Sequence, residues 1–80
     1  MTENAELRRV YWHSRRGMLE LDLLLSPFAR ERYPLLDQAD QELYRRLLEC
    51  EDNDLYRWLV GSDRPDDDKL GEIVRLIREQ

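Results

Sequence analysis

The sequence predicts an all-α protein, a compact bundle of about five short helices. Three observations carry this. Leucine dominates the apolar residues with 15 copies, against six β-branched residues in all (Thr2, Val10, Val60, Ile73, Val74 and Ile77). Leucine, arginine and glutamate lose little rotamer freedom in a helix, whereas strands favour β-branched and aromatic side chains. Apolar residues recur at i, i+3, i+4 and i+7 in several segments, with glycines and prolines between them. A length of 80 residues gives one domain, 1–80, with no room for a second core.

The first helix is expected over about residues 4–15, where Leu7, Val10, Tyr11 and Ser14 keep helical spacing and Trp12 flanks the stripe. Arg15 and Arg16 then suit the carbonyl end of the helix dipole, and Gly17 is placed as the C′ residue. The next segment, "MLELDLLL", alternates like a strand at Leu19, Leu21 and Leu23, yet Leu21, Leu24, Leu25 and Phe28 fit a helical stripe. A lone strand would leave its ladder unpaired, so a helix is expected. Ser26-Pro27 reads as a cap followed by proline in the first turn, restarting or kinking the helix, and Tyr33-Pro34 ends it.

Asp37 caps a third helix, with Asp40 at the third position and Leu36, Ala39, Leu43, Leu47 and Leu48 as its apolar face. A short fourth helix turns Leu55, Trp58 and Leu59 inward and ends at Gly61. The fifth starts with Pro65 in its first turn and Asp66, Asp67 and Asp68 complementing the dipole. It repeats the spacing at Leu70, Ile73, Val74 and Ile77.

Charge narrows the function. The net charge is −5, with +2 over residues 1–17 and −7 over residues 37–68, so most of the surface repels a phosphate backbone and nucleic acid is not expected as a partner. Twelve of the thirteen bases are arginine, which favours carboxylate pairing and protein contacts. One cysteine, Cys50, allows no internal disulfide and fits a reducing compartment. No apolar run approaches the ~20 residues of a membrane span, and no secretory core opens the chain, so a cytoplasmic location is expected.

Catalytic groups are scarce. His13 and Ser14 are adjacent and point in different directions on a helix, Cys50 has no ligand partner at metal spacing, and Asp66–Asp68 fan around the axis. No glycine-rich phosphate loop exists, and the aromatics at helical spacing read as core sooner than as a flavin platform. No catalytic residue and no metal site are expected. The stretch "RRGMLELD" (Arg15 to Asp22) stands out instead. Its bland reading is a turn between two helices. Its sharper reading is a docking corner, with Gly17 offering bare backbone, Met18 an adaptable apolar contact, and Arg16 and Glu20 as charged brackets.

That stretch, followed by "SPF" and by "RLLECEDNDLYRWL" (Arg46 to Leu59), resembles the SdhE family, also called YgfY, over about Arg9 to Ile77. The family's signature RGxxE is met by Arg16, Gly17 and Glu20, while Leu19 stands at a free position. The resemblance implies a chaperone-like assembly factor, not an enzyme. Such a factor binds the flavoprotein subunit of succinate dehydrogenase, and of fumarate reductase where present, and promotes covalent attachment of FAD there. It implies partner contact through Arg16, Gly17 and Glu20, with Arg9, Met18 and Asp22 as neighbours. No FAD is expected to be held tightly by this chain, which is expected to be monomeric when free. The alternatives are an antitoxin-type partner, also described for the family, a flavin carrier using the aromatic residues, and a generic helical interaction module.

Overall fold

The computed structural model describes residues 5–80 and consists of helices joined by short turns, with no strand among the described residues. Helix α1 runs Ala5–Ser14, α2 Leu19–Pro27, α3 Gln38–Leu48, α4 Asp52–Leu59 and α5 Asp68–Arg78. The expected start of the first helix at residue 4 lies outside the described residues.

The expected stripe of α1 faces inward. Val10 and Ser14 are buried, with Leu7 and Tyr11 packed against the core. Trp12 does not join them and stands 62% exposed. Ser14 is a polar residue inside the core, and its hydroxyl explains why that is tolerated. Ser14 Oγ donates to the Val10 carbonyl at 2.8 Å and lies 2.7 Å from the Tyr44 hydroxyl, which also approaches the Leu25 carbonyl at 3.2 Å. Two hydroxyl protons thus serve three contacts that tie α1, α2 and α3 together, and a buried polar group so satisfied has little desolvation cost.

"MLELDLLL" folds as helix α2, with Leu21 and Leu25 fully buried. The expected restart at Ser26-Pro27 does not occur. Ser26 Oγ instead donates back to Asp22 Oδ1 at 2.8 Å, and Pro27 forms the last turn of α2. Proline has no N–H to continue the ladder. The chain goes on as a π-helical turn, Phe28–Arg32, where the Tyr33 N–H reaches the Phe28 carbonyl. It then tightens into a single 3₁₀ turn, Tyr33–Leu35, which contains Pro34 and closes the helical run before the extended Leu36. This detour brings Phe28 and Tyr33 onto Tyr44, with ring centroids 5.2 and 5.4 Å away, as the aromatic centre of the core.

Asp37 caps α3 as expected, accepting the Asp40 N–H at 2.9 Å. Leu43, Tyr44, Leu47 and Leu48 are the buried residues of α3, Leu36 packs at the edge, and Ala39 is exposed, unlike the expectation. A tight corner leads into α4, whose Leu55, Trp58 and Leu59 are buried. Gly61 follows, and the turn requires it: a Cβ there would lie 2.9 Å from the Arg57 carbonyl oxygen. Helix α5 begins later than expected. Asp67 is the cap, accepting from the Lys69 and Leu70 N–H groups at 2.8 and 3.3 Å, and Pro65 and Asp66 precede it. These donors and Arg46 hold the Asp67 carboxyl below the usual carboxylate range. Ile73, Val74 and Ile77 complete the core.

Candidate functional site

The turn between α1 and α2 is short because α1 ends at Ser14 and α2 begins at Leu19. Its residues fall into two groups. Arg16 and Met18 belong to the fold. Met18 is half-buried and packs against the core. The Arg16 side chain is only 13% exposed and runs toward the corner between α3 and α4. Its Nη2 donates to the Leu48 carbonyl, and its Nη1 lies 3.4 Å from Asp52 Oδ1.

Arg16 was expected to complement the end of its own helix; it serves α3 instead. Leu48 is the last residue of α3, whose final carbonyls have no partner within the helix and carry the negative end of its dipole. Asp52 opens α4, so one guanidinium ties the first corner to the second. The two blocks that carried the resemblance, "RRGMLELD" and "RLLECEDNDLYRWL", therefore adjoin in space. One donor is left over: Arg16 Nε is buried without a partner among the described residues.

Gly17 and Glu20 face outward. Gly17 does not take the left-handed conformation expected of a C′ glycine, since no glycine of the described residues has a positive φ. A Cβ at Gly17 would meet nothing within 4 Å. Neither backbone nor packing asks for glycine here. Glu20 is exposed and has no ion pair or hydrogen-bond partner among the described residues. Asp22, expected as a neighbour, is engaged within the chain by Arg15 Nε at 3.2 Å and by Ser26. Arg9 is exposed on α1, with no bond joining it to the corner.

One feature escaped sequence reasoning. Trp12, Leu19 and Leu23 are 62, 67 and 64% exposed around this corner. The signal was the strand-like alternation of Leu19, Leu21 and Leu23. On a helix, residues two apart lie on roughly opposite sides, so a segment with leucines at 19, 21, 23, 24 and 25 cannot bury them all.

Other candidates hold little chemistry. His13 is exposed, and burial pushes the half-buried Cys50 thiol up from its ordinary value, away from reactive thiolate. Among the described residues no group of three His, Cys, Asp or Glu side chains is placed to hold a metal ion. Among the described residues no helix is long and apolar enough to cross a membrane. An open groove of about 720 Å³ runs between the 62–65 loop and α5, lined by Arg64, Arg75, Arg78 and Glu72 among others. Arg75 is paired with Glu79, and Arg78 donates to the Trp58 and Gly61 carbonyls.

The comparisons with known proteins agree on one family. The family described as flavinator of succinate dehydrogenase matches residues 8–80. The FAD assembly factor SdhE of Pseudomonas savastanoi pv. phaseolicola is 54% identical over 80 residues, which are 100% of this chain and 95% of that protein. The protein of the same name from Pseudomonas aeruginosa is 52% identical over 80 residues, again 100% and 95% of the two chains. That of Idiomarina loihiensis is 41% identical over 70 residues, 88% of this chain and 78% of the relative. The match spans all five helices and both corners, and this chain belongs to the SdhE family, the flavinators of succinate dehydrogenase.

Proposed function

We propose that this chain is an assembly factor that promotes covalent attachment of FAD to the flavoprotein subunit of succinate dehydrogenase, with the homologous subunit of fumarate reductase as a second client. It acts as one folded unit, a monomer when free, in the cytoplasm. The observation that carries the reading is Gly17. The fold places no demand on a glycine there, yet the residue sits exposed in the pattern RGxxE, with Glu20 unpartnered among the described residues. A glycine without an internal reason is suited to close approach by another polypeptide's backbone.

The factor supplies no reacting group in this account. The flavin-linking histidine belongs to the partner, and this chain holds one conformation of the immature subunit in which FAD and that histidine are aligned. Preorganisation of two reactants lowers a barrier without a new chemical group. Glu20 would pair with a base of the partner, Gly17 would admit its backbone, and Arg16, through its remaining exposed edge, would meet a carboxylate or carbonyl. The aromatic residues give less support to a flavin carrier, because Tyr33, Tyr44 and Trp58 are buried in the core.

The test is a time course of covalent flavin fluorescence on the purified flavoprotein subunit, given FAD with and without this chain. Acceleration by substoichiometric amounts is the expected result. An unchanged rate overturns the assignment, and saturable FAD binding by the isolated chain would favour the carrier instead.

A further inference from the structure

Helix α2 is apolar on two sides. Leu21, Leu25 and Phe28 enter the core, while Leu19 and Leu23, one helical turn apart, stand in solvent on the other side. Large apolar side chains grouped in solvent mark an interaction surface. Trp12 extends the strip from α1 through Arg15, whose guanidinium lies 5.7 Å from the Trp12 ring centroid and 3.2 Å from Asp22, between Leu19 and Leu23 in sequence. Arg15 and Asp22 pair with each other within the strip, and Glu20 beside it has no partner among the described residues.

We propose that Trp12, Leu19 and Leu23 form an apolar docking strip, continuous with Gly17. It seats a larger polypeptide that offers an apolar face and an arginine or lysine opposite Glu20. The inference rests on the assembly-factor reading and makes that polypeptide the flavoprotein subunit. Charge decides against a second copy of this chain. An isologous pair sets the same patch on both sides, and each copy carries a net charge of −5, so two copies repel overall and Glu20 of each would face a like-charged chain. Area points the same way. Three side chains fall well short of the ~800 Å² per partner that a stable specific interface buries, so the strip needs further contact from a surface larger than itself. The open space above Gly17 supplies an adjoining place for it.

The experiment measures binding of the full chain to the purified flavin-free flavoprotein subunit by calorimetry, alongside sedimentation of the free chain. The variants are Leu19→Gln with Leu23→Gln, which keep helix propensity, and Glu20→Lys. The proposal expects the double variant to keep its helical circular dichroism and melting while binding at least tenfold more weakly. Glu20→Lys is expected to weaken binding, and added salt to weaken the wild type more than Glu20→Gln. Wild-type affinity in the double variant would overturn the strip and leave the assembly-factor reading standing. Failure of the wild type to bind would overturn that reading and the named occupant together. A wild-type dimer that the double variant dissolves would give the strip to a second copy and overturn the proposal. Unfolding of the double variant would contradict the placement of both leucines outside the core.

Discussion

Replacing Arg16 with alanine tests whether the α1–α2 corner is held by the corner between α3 and α4. Two contacts vanish, the donation to the Leu48 carbonyl and the 3.4 Å approach to Asp52. A hydrogen bond from a charged donor contributes about 1.5–3 kcal/mol. The ion pair adds less, since the Asp52 side chain is 37% exposed and such pairs give about 0.2–1 kcal/mol. An opposing effect is the buried Nε, whose missing partner costs the folded state about 1–3 kcal/mol and disappears with the side chain. Packing of the alkyl stem is also lost. The balance is a destabilisation of about 1–2 kcal/mol, which for a chain of this size lowers Tm by roughly 4–16 °C.

Urea and thermal unfolding followed by circular dichroism would measure it. Arg16→Lys keeps the charge without the planar fork and should fall between alanine and wild type. Asp52→Asn leaves the Leu48 bond in place and should cost less than half as much as Arg16→Ala. An alanine variant that melts with the wild type refutes the anchoring argument. Equal losses from Arg16→Ala and Asp52→Asn would refute the primacy of the carbonyl bond.

The two other informative glycines should respond in opposite directions. Gly61→Ala puts a Cβ against the Arg57 carbonyl and should cost about 1–3 kcal/mol in chemical denaturation. Gly71→Ala lies inside α5 with nothing within 4 Å of the new carbon and should stabilise by about 0.5–1 kcal/mol. Tyr44→Phe removes the hydroxyl shared by Ser14 and Leu25 and should cost about 1–2 kcal/mol by the same assay. Burial raises the Tyr44 phenol well above its ordinary value of 10, so the folded state keeps its proton longer than the unfolded chain. The stability that this brings is complete below pH 10 and declines as the pH rises from there toward the folded-state value. Tyr44→Phe should therefore flatten the alkaline limb of the stability profile.

Helical periodicity made most of the fold legible. The stripes of α1, α4 and α5, the Asp37 cap and the glycine after α4 all follow from local rules that the structure obeys. The region after α2 was not legible, because Ser26 found Asp22 one turn back, leaving no cap for a new helix at Pro27. That choice depends on the register of a π-helical turn, which no short-range pattern encodes. At the site, Gly17 and Glu20 stand exposed as the turn chemistry suggested. Arg16 does not, because its partners Leu48 and Asp52 are more than thirty residues away in sequence. The outward leucines of α2 were visible in the sequence as an ambiguity between strand and helix, and only the burial of Leu21 and Leu25 shows which leucines the core leaves out.

The central claim is tested most directly by putting Gly17→Arg into a host that lacks its own copy of this factor and reading covalent flavin on the flavoprotein subunit by in-gel fluorescence. The account predicts that wild type restores the flavin band and the variant does not, although the purified variant keeps its helicity and melting temperature. A flavin band of wild-type strength, or a variant that simply unfolds, would contradict it.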